Sequence, residues 1–530
     1  MKSEVLLNLM ILVLVAIFSS TQSSPDCDIV SPTALKEFRD SLSGSTLDPE
    51  DTAYKNASLM QNRRVTKLPG LIVYASDASD IQKTVLFASK HNVKLAIQST
   101  GHSYVGRSTV EGGILLNLSE LNRIDVKLNS VRSIHGEVTV ETGNMWARVY
   151  EEVDKHDRVV VGGADGSVGM GGYTQGGGHS PIGRSLGLAV DSLLEVKLIT
   201  ADGSTVTTST SGTTIKHTNG TVINSNDADL FWALRGGGGG TWGVVLSFTF
   251  KLHLPPNNGM VRVSATYPMY YYEEPILHSP GAPIMKKFTE YVKTLDNKWG
   301  GYILLNNVPL DDTMTYFGTL SCVLLHFGGW TQELQNQMED LLDHLNGTTI
   351  HQDFKNYTSF WDYEGKTTPD KGGYRLYMYN VLLQNDSNFD GVVDLLVDHA
   401  KRVPLQITQG CTDVLIGGAM TDIPSSETAV GPGFRAATHS MSCYVAYGNA
   451  KDDAEAEKYG LQFGNELKKF GDGVYFNEPT EDIPDWKEEY WGMEKYSRLL
   501  EIKKKWDPEH LFWCHHCVGS DLIRKQYCSV

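Results

Sequence analysis

The sequence predicts an α+β fold, arranged as two domains or as one domain with a large insertion. The chain has 530 residues, which is more than a single hydrophobic core usually supports. Residues 71–97 show a strand pattern, a helix pattern and a second strand pattern in turn, which is typical of a β-α-β unit. From Met260 to about Tyr447, strand patterns mix with amphipathic helices, which indicates a sheet with a helical cover.

The first half of the chain is predicted to consist of short strands joined by helices and turns. Ser79 and Gln82, three positions apart, predict a capping box at the start of the first helix of the β-α-β unit. The Asp-Gly pair at 202–203 predicts a hairpin turn, and the Pro-Pro pair at 255–256 marks a domain boundary. The predicted strands are 71–74, 93–97, 114–118, 138–142, 193–199, 205–207 and 243–252, and the predicted helices are near 33–43, 79–88 and 145–153.

The second half is predicted to contain helices at 333–345 and 391–401 among its strands. A helix at 496–503 is expected to stop before Asp507-Pro508, because proline cannot continue a helix. The sequence has neither internal repeats nor a low-complexity linker.

Residues 163–187 contain so many glycines that we expect no regular element there. Glycine permits positive φ and close approach of the backbone, which suits a chain that wraps a flat aromatic cofactor or surrounds a phosphate with N–H groups. A flexible surface loop is the alternative, but long loops without structure are usually functional.

Charge and composition restrict the partners. The net charge of −17 argues against nucleic acid and anionic lipid, which are bound by clustered Lys and Arg. Residues 1–24 combine a Lys, an apolar stretch and a small polar region, which predicts a secretory signal peptide, with a retained signal anchor as the alternative. No later apolar segment is long enough to cross a bilayer. We therefore expect a secreted protein.

The seven cysteines would form up to three disulfides in an oxidising compartment, with a pairing that the sequence does not reveal. Residues 514–517, Cys-His-His-Cys, resemble half of a zinc site, but a closed site needs four ligands and no second pair lies nearby. We expect these cysteines to form a disulfide or to pack in the core, and we expect no metal.

Two short motifs are present without the context that their functions need. Gly238-x-Gly240-x-x-Gly243 has the glycine spacing of a dinucleotide site, but a strand follows it where a helix should begin. Residues 183–187, Gly-Arg-Ser-Leu-Gly, match the nucleophile elbow of serine hydrolases, but the strand-turn-helix context around Ser185 is missing.

Four longer stretches carry a resemblance to a known family. They read KLPGLIVYASDASDIQKTVLFASKHNVKLAIQSTGHSYVGRS, GSVGMGGYTQGGGHSPIGRSLGLAVDSLLEVKLITADGS, DLFWALRGGGGGTWGVVLSFTFKL and YSRLLEIKKKWDPEHLFWCHHCVGS. Together they span most of Leu68 to Ser520, and the chain resembles the berberine-bridge-enzyme-like FAD-linked oxidases of the vanillyl-alcohol-oxidase superfamily. This resemblance implies a two-part PCMH-type FAD-binding domain, an α+β substrate-binding domain with an antiparallel sheet, and a C-terminal segment that returns to the FAD domain. The expected boundaries are 1–24 for the signal peptide, 25–64 for an N-terminal segment, 65–255 for the FAD domain, 256–472 for the substrate domain and 473–530 for the C-terminal segment.

The resemblance also implies how FAD is held. His102, in the Gly-His-Ser-Tyr motif, would bond covalently to the flavin 8α-methyl group, and residues 99–106 would supply N–H groups to the pyrophosphate. Many members add a second bond from a Cys in a Cys-Pro-Thr-Val-Gly stretch, but Asp165 stands in that place here. We therefore expect a singly linked flavin with a wider site and a lower reduction potential. The expected cofactor-binding residues are His102, Ser99, Thr100, Gly101, Ser103, Val105, Gly106, Val168, Gly169, Gly172, Gly176 and Val245.

Four residues are the implied catalytic candidates: Tyr104, His179, Tyr475 and Asn477. His179 stands where the family usually has Tyr. It could take the hydroxyl proton of the substrate as hydride leaves for flavin N5, or it could simply pack against the flavin ring. Tyr475 and Asn477 match a late Tyr-x-Asn motif. Val168 matches a position on the oxygen side of the flavin, where a small side chain favours reaction with O₂.

The implied function is that of a secreted FAD-dependent oxidase that oxidises an alcohol-type substrate and passes the electrons to O₂, giving H₂O₂. A carbohydrate oxidase and an oxidative cyclase of secondary metabolism are alternatives within the family. A serine hydrolase using Ser185 and a flavin-free binding protein are more distant alternatives. The expected partners are a small-molecule substrate and O₂, with no nucleic acid and no membrane, and we expect a monomer.

Overall fold

The structure is a computed structural model that describes residues 30–273, 275–309, 317–367, 370–404, 407–522 and 527–530. The predicted signal peptide and Cys27 lie outside the described residues. Within the described residues, every helix is either too short or too polar to span a bilayer.

The first half contains two sheets. Its helices are α1 (Pro32–Ser41), α2 (Tyr54–Ala57), α3 (Ala78–Lys90), α4 (Trp146–Asp154), α5 (Met170–Gln175), α6 (Gly183–Leu186) and α7 (Asp229–Leu234). Its strands are β1 (Thr46–Leu47), β2 (Leu71–Tyr74), β3 (Leu95–Gln98), β4 (Ile114–Asn117), β5 (Ile124–Lys127), β6 (Glu137–Glu141), β7 (Leu193–Ile199), β8 (Thr205–Ser209), β9 (Gly212–Lys216), β10 (Val222–Ser225) and β11 (Val244–Lys251).

The first sheet has the order β1-β2-β4-β3, and both β2 and β3 run parallel to β4. Nearly every residue of β2 and β4 is buried, as expected for parallel strands that are covered on both faces. The predicted β-α-β unit is confirmed, but the predicted capping box is wrong. The N-cap of helix α3 is Asp77, two residues before Ser79, because the Asp77 side chain accepts from the Asp80 N–H at 3.0 Å. Gln82 instead donates to the Gly203 carbonyl at 2.6 Å and ties the helix to the second sheet.

The second sheet is antiparallel, in the order β10-β9-β8-β7-β11-β6-β5. The hairpin predicted at 202–203 joins β7 to β8, and Gly203 has the positive φ of 77° that such a turn uses. The end of the chain returns to the first sheet, where Phe512 bridges to Leu95 and Cys528 to Val93. The predicted return of the C-terminal segment is therefore confirmed.

The second half contains a third large sheet and its helical cover. Its strands are β12 (Met260–Pro268), β13 (Tyr271–Glu273), β14 (Ile276–His278), β15 (Trp299–Pro309), β16 (Phe317–His326), β17 (His351–Tyr357), β18 (Arg375–Leu383), β19 (Thr408–Leu415) and β20 (His439–Tyr447). Its helices are α8 (Gly281–Val292), α9 (Gln332–Leu345), α10 (Phe360–Glu364), α11 (Phe389–Ala400), α12 (Pro432–Ala436), α13 (Asp453–Leu467) and α14 (Trp486–Trp506). The α+β fold class is confirmed.

The third sheet is antiparallel, in the order β17-β12-β16-β15-β19-β20-β18, and its two faces have different roles. In β20, Met441, Cys443 and Val445 pack into a core with helices α8, α9, α11 and α13. The residues between them, including Ser442 and Tyr444, line a cavity on the opposite face. Alternate residues of a strand point to opposite faces, so this single strand connects the core to the cavity. The domain boundaries at 65, 256 and 473 stay predictions.

The prediction that residues 163–187 hold no regular element is wrong in two places, because α5 and α6 lie inside this segment. Each glycine costs a helix about 1 kcal/mol relative to alanine. Burial of Met170, Thr174 and Gln175 accompanies α5, so tertiary packing outweighs the poor helix propensity of the sequence.

Two disulfides join cysteines that both lie within the described residues. Cys411 and Cys443 are directly paired across β19 and β20 and are bonded to each other. Cys514 and Cys517 form a second disulfide, as one of the two predicted alternatives, so their sulfurs are not available as zinc ligands. Cys528 is also disulfide-bonded.

His253 makes stability depend on pH. Burial, assisted by the nearby Lys251 and His135, lowers the pKa of His253 to about 4, and its Nε2 lies 2.9 Å from the Ser192 hydroxyl. In the unfolded chain the same group takes up a proton near its ordinary pKa of 6.5. Between about pH 6.5 and about pH 4 the unfolded chain therefore binds more protons, and the free energy of unfolding falls as the pH falls, by up to about 3 kcal/mol from this group.

We expect the free energy of unfolding of His253→Gln, measured by urea unfolding, to depend less steeply on pH in this window than that of the wild type. An equal dependence on pH would contradict the lowered pKa of His253.

Candidate active site

A cavity of about 660 Å³ lies between the first two sheets and the third sheet. One wall is the segment that follows β3, together with part of the glycine-rich segment, and the opposite wall is the exposed face of β18, β19 and β20. Residues 475–479 of the C-terminal segment complete it. Clefts of this size between domains are typical of cofactor and substrate sites.

The segment after β3 presents a row of backbone donors. The Gln98 side chain anchors it by accepting from Asn117 at 2.9 Å and donating to the Ser108 carbonyl at 3.2 Å. Gly101 and Gly106 have φ of 79° and 71°, which lets the backbone turn sharply at both ends. No described residue accepts from the backbone N–H groups of residues 100–105. A row of N–H groups without acceptors fits an anion such as a pyrophosphate, so this segment suits the cofactor that the sequence predicts.

Most of the predicted cofactor-binding residues meet in this cavity. Those that line it are Ser99, Thr100, Gly101, His102, Ser103, Val168, Gly169, Gly172 and Val245. A Cβ placed on Gly172 would have no atom within 4 Å, so the cavity is open at that position.

Three predicted cofactor residues do not line the cavity. Val105 is buried, and the Gly106 N–H donates to the Ser103 carbonyl at 3.4 Å and so closes the turn. Gly176 lies against Asn477, whose Oδ1 would be 1.9 Å from a Cβ at that position. Their assignment as cofactor contacts stays a prediction, and their positions are those of residues that shape the site.

His102 is held by a short chain of hydrogen bonds. Its Nε2 lies 3.0 Å from the Ser167 hydroxyl, which donates to the Asp165 carboxylate at 2.6 Å. Burial lowers the pKa of His102, although the negative charges of Asp165 and Asp370 oppose this shift. The imidazole is therefore neutral at physiological pH, and a neutral imidazole has a nitrogen lone pair with which to form a bond.

Tyr475, Asn477 and His179 are brought together as predicted. The Tyr475 hydroxyl oxygen accepts from the Asn477 side chain at 2.8 Å and from the backbone N–H groups of Gly178 at 2.9 Å and His179 at 3.3 Å. Burial raises the pKa of Tyr475, and the nearby negative charge of Glu478 adds to this effect. Three donors around one oxygen favour negative charge on it, and so they oppose, without cancelling, the rise in pKa that burial and Glu478 cause.

Glu478 is the main functional residue that sequence reasoning missed. Its Oε1 lies 2.8 Å from His179 Nε2, and the Ser442 hydroxyl donates to its Oε2. Burial by itself would raise the pKa of Glu478, but attraction to His179 and the hydrogen bonds from His179 and Ser442 outweigh burial and hold the pKa below its ordinary value. Its position directly after the Tyr-x-Asn motif was the available signal. Among the described residues, His179 Nδ1 has no hydrogen-bond partner.

Tyr104 also lines the cavity, and burial raises its pKa. The sequence missed the residues that the substrate domain contributes, because strand patterns do not show which face meets another domain. These residues lie on β15, β18, β19 and β20 and in the loop before β18. They are Tyr302, Asp370, Tyr374, Leu376, Met378, Thr412, Val414, Ser442, Tyr444 and Ala446.

Ser185 does not have the surroundings of a hydrolase nucleophile. It lies in the four-residue helix α6, and its hydroxyl donates to the Asn297 carbonyl at 2.9 Å. No strand leads directly into this helix among the described elements, so the nucleophile-elbow geometry is absent.

Gly176→Ala tests how closely the site is packed. The added methyl group would overlap the Asn477 side chain and move it away from the Tyr475 hydroxyl. Because a displacement of about 1 Å at a reacting group can cost about 100-fold in rate, we expect turnover to fall by roughly 10–100-fold. Gly448→Ala is the matched control, since no atom lies within 4 Å of a Cβ there. Equal turnover of the two variants would contradict this placement of Asn477.

Comparison with known proteins agrees with the geometry. Residues 69–209 match the family model of an FAD binding domain, and residues 474–519 match the model described as berberine and berberine like. An uncharacterized FAD-linked oxidoreductase of Arthroderma benhamiae is 29% identical over 475 residues, which are 86% of this chain and 78% of that protein.

Two solved structures share the fold. The BBE-like 1 protein of Physcomitrella patens has a TM-score of 0.75 at 18% identity, covering 92% of this chain and 99% of that chain. A xylooligosaccharide oxidase of Myceliophthora thermophila, solved in complex with xylobiose, has a TM-score of 0.74 at 20% identity, covering 92% and 99%. At these identities the likeness establishes the architecture, and the chemistry has to be argued from the residues.

Proposed function

Because this chain belongs to the FAD-linked oxidoreductases of the berberine-bridge type, we propose that it is an oxidase that takes a hydride from an alcohol-type small molecule and uses O₂ as the electron acceptor. One observation carries this proposal. The same cavity contains the donor-rich segment with His102 on one wall and the group of Tyr475, Asn477, His179 and Glu478 on another. A redox cofactor and a proton acceptor can thus face one substrate.

The residues of the first wall fit FAD. The free N–H groups of residues 100–105 would hold the pyrophosphate, and His102 would be the single covalent anchor, because Asp165 cannot form a thioether. When bound there, FAD would supply the two-electron oxidation of the substrate and the transfer of electrons to O₂. Val168, which is half-buried and lines the cavity, would leave room for O₂ beside the ring.

The wall with Tyr475, His179 and Glu478 would accept the proton of the substrate hydroxyl. As a hydride leaves the substrate carbon, the hydroxyl proton must be taken up by a group within hydrogen-bonding reach. The proposed acceptor is the phenolate form of Tyr475, which the donors from Asn477, Gly178 and His179 would stabilise against the opposing effects of burial and Glu478. The hydrogen-bonded pair of His179 and Glu478 would fix the backbone of His179 and receive the proton afterwards.

A carbohydrate is the favoured class among the alcohols. The wall contributed by the substrate domain is rich in hydroxyl groups, from Tyr302, Tyr374, Thr412, Ser442 and Tyr444. Tyr374, Ser442 and Tyr444 donate their protons within the protein, so their oxygens can accept hydrogen bonds from a substrate. The Tyr302 hydroxyl has no partner among the described residues and can donate as well. Such a set of groups suits a polyhydroxylated molecule. An oxidative cyclase that acts on a flat aromatic substrate would have less use for so many hydroxyl groups.

We also propose that the protein is secreted. The predicted signal peptide, the disulfides Cys411–Cys443 and Cys514–Cys517, and the sequons at Asn56, Asn219 and Asn346 support an oxidising compartment.

The experiment is a peroxide-release screen with the full-length protein over mono- and oligosaccharides, simple alcohols and phenols. We expect H₂O₂ with at least one sugar, abolished by catalase, and bleaching of the flavin absorbance by the same sugar without O₂. A protein that is reduced by substrate but releases no peroxide would be a dehydrogenase, and a protein that no compound reduces would contradict the proposal.

A further inference from the structure

We propose that Asp165 and Ser167 form a relay that orients His102 for its attachment to FAD and takes up the Nε2 proton during that step. This inference rests on the proposed function, because it concerns the attachment step of the same cofactor. It assigns Asp165 and Ser167 as positioning residues for that step.

The hydrogen bonds fix which nitrogen carries the proton. The Ser167 hydroxyl lies near two oxygens that only accept, the Asp165 carboxylate at 2.6 Å and the Asp370 carbonyl at 3.4 Å, and its proton points to the nearer one, the carboxylate. The Ser167 oxygen is then free to accept, and the group that donates to it at 3.0 Å is the Nε2–H of His102. A neutral imidazole has one N–H, so the lone pair lies on Nδ1. No described residue donates to Nδ1, and it is free to form a bond.

Further hydrogen bonds hold the relay in place. Asp165 Oδ1 also accepts from the Ser167 N–H at 2.7 Å, and its Oδ2 accepts from the Asp370 N–H at 2.8 Å. The Val168 N–H donates to the Asp165 carbonyl at 3.1 Å and closes a turn around the relay. Asp370 belongs to the loop before β18, so the substrate domain helps to hold the carboxylate in place.

The relay suits the chemistry of attachment. The Nδ1 lone pair forms the new C–N bond, and one C–H bond of the flavin 8α-methyl group breaks. Two electrons are left on the ring system, the C–H proton and the Nε2 proton are released, and O₂ takes up both electrons and both protons to give H₂O₂. The imidazole becomes positively charged as the C–N bond forms, so a carboxylate reached through Ser167 stabilises that charge and accepts the Nε2 proton.

The test measures attachment and not turnover. Full-length wild type, Asp165→Asn, Ser167→Ala and Ser167→Thr are produced in a host starved of riboflavin, and FAD is added. The flavin that stays with the chain after acid precipitation is followed over time. We expect Asp165→Asn and Ser167→Ala to attach FAD about 100-fold more slowly, as for loss of a positioned base. Ser167→Thr keeps the hydroxyl and should stay within a few-fold of the wild type.

The outcomes separate this inference from the proposed function. Native, non-covalent FAD binding is measured for each variant before attachment, and a variant that fails to bind FAD is replaced in the comparison by the other relay variant. Attachment by both variants at the wild-type rate, or a wild-type peptide linked through Nε2, overturns the relay while covalent flavin remains. A wild type that never attaches flavin overturns both proposals.

Discussion

Replacing Tyr475 with Phe is expected to lower the rate at which substrate reduces the bound flavin by roughly 100–1,000-fold, within the range for loss of a general base. The reason is geometric. Three donors, from Asn477, Gly178 and His179, point at the oxygen that the substitution removes. The measurement is the absorbance of the flavin after anaerobic mixing with substrate in a stopped-flow instrument.

Tyr444→Phe is the matched control. Tyr444 also lines the cavity, but its hydroxyl donates to Asn306 at 2.9 Å and lies on the substrate-domain wall. We expect this variant to weaken substrate binding and to change the reduction rate at saturation by less than about 10-fold, as for a group outside the proton-transfer step. Equal loss of rate in both variants, with equal flavin content, would contradict the role of Tyr475.

Lys503→Met is expected to lower the free energy of unfolding by about 3–5 kcal/mol, the cost of leaving one member of a buried ion pair unpaired. Lys503 and Asp507 are both fully buried. The Lys503 ammonium group donates to the Asp507 carboxylate. It also donates to the carbonyls of Thr241 and Phe512, at 2.7 Å in both cases. Burial lowers the pKa of Lys503, but the carboxylate keeps it paired. The pair therefore joins the C-terminal segment to the FAD-binding half of the chain.

The measurement is urea unfolding followed by intrinsic fluorescence. Lys504→Met is the control, because Lys504 is exposed and its one ion pair within the described residues is with Glu501, and surface pairs contribute about 0–1 kcal/mol. Lys503→Met and Lys504→Met with the same midpoint would show that the buried pair does not hold the segment.

The first sheet could be predicted from the sequence because its signals are local. The apolar run at 71–74 and the helical spacing from Ile81 to Ala88 each lie within one element. The start of α3 was misplaced because Asp77 and Ser79 are both good N-cap residues, and only the path of the chain decides between them. Helix α5 was missed because buried packing, which propensity does not report, overrides its glycines.

Site residues that belong to a short sequence motif could be predicted, and site residues that meet from distant parts of the sequence could not. His102, Tyr475 and Asn477 belong to short patterns, and all three line the cavity. Glu478 acquires its role from His179, 299 positions earlier, and the sequence has no pattern that links them. The relay was also hidden, since Asp165 was recognised only as the residue that replaces a cysteine, and its contact with His102 through Ser167 exists only in the folded chain.

The most direct test of this account is the mass of the proteolytic peptide that contains His102. We expect that in the wild type this peptide carries one FAD bonded to His102 and that the peptide containing Asp165 carries none. We expect His102→Ala to hold FAD without a covalent bond and His179→Ala to keep the bond. An unmodified His102 peptide from yellow protein, with all flavin released by acid, would contradict it.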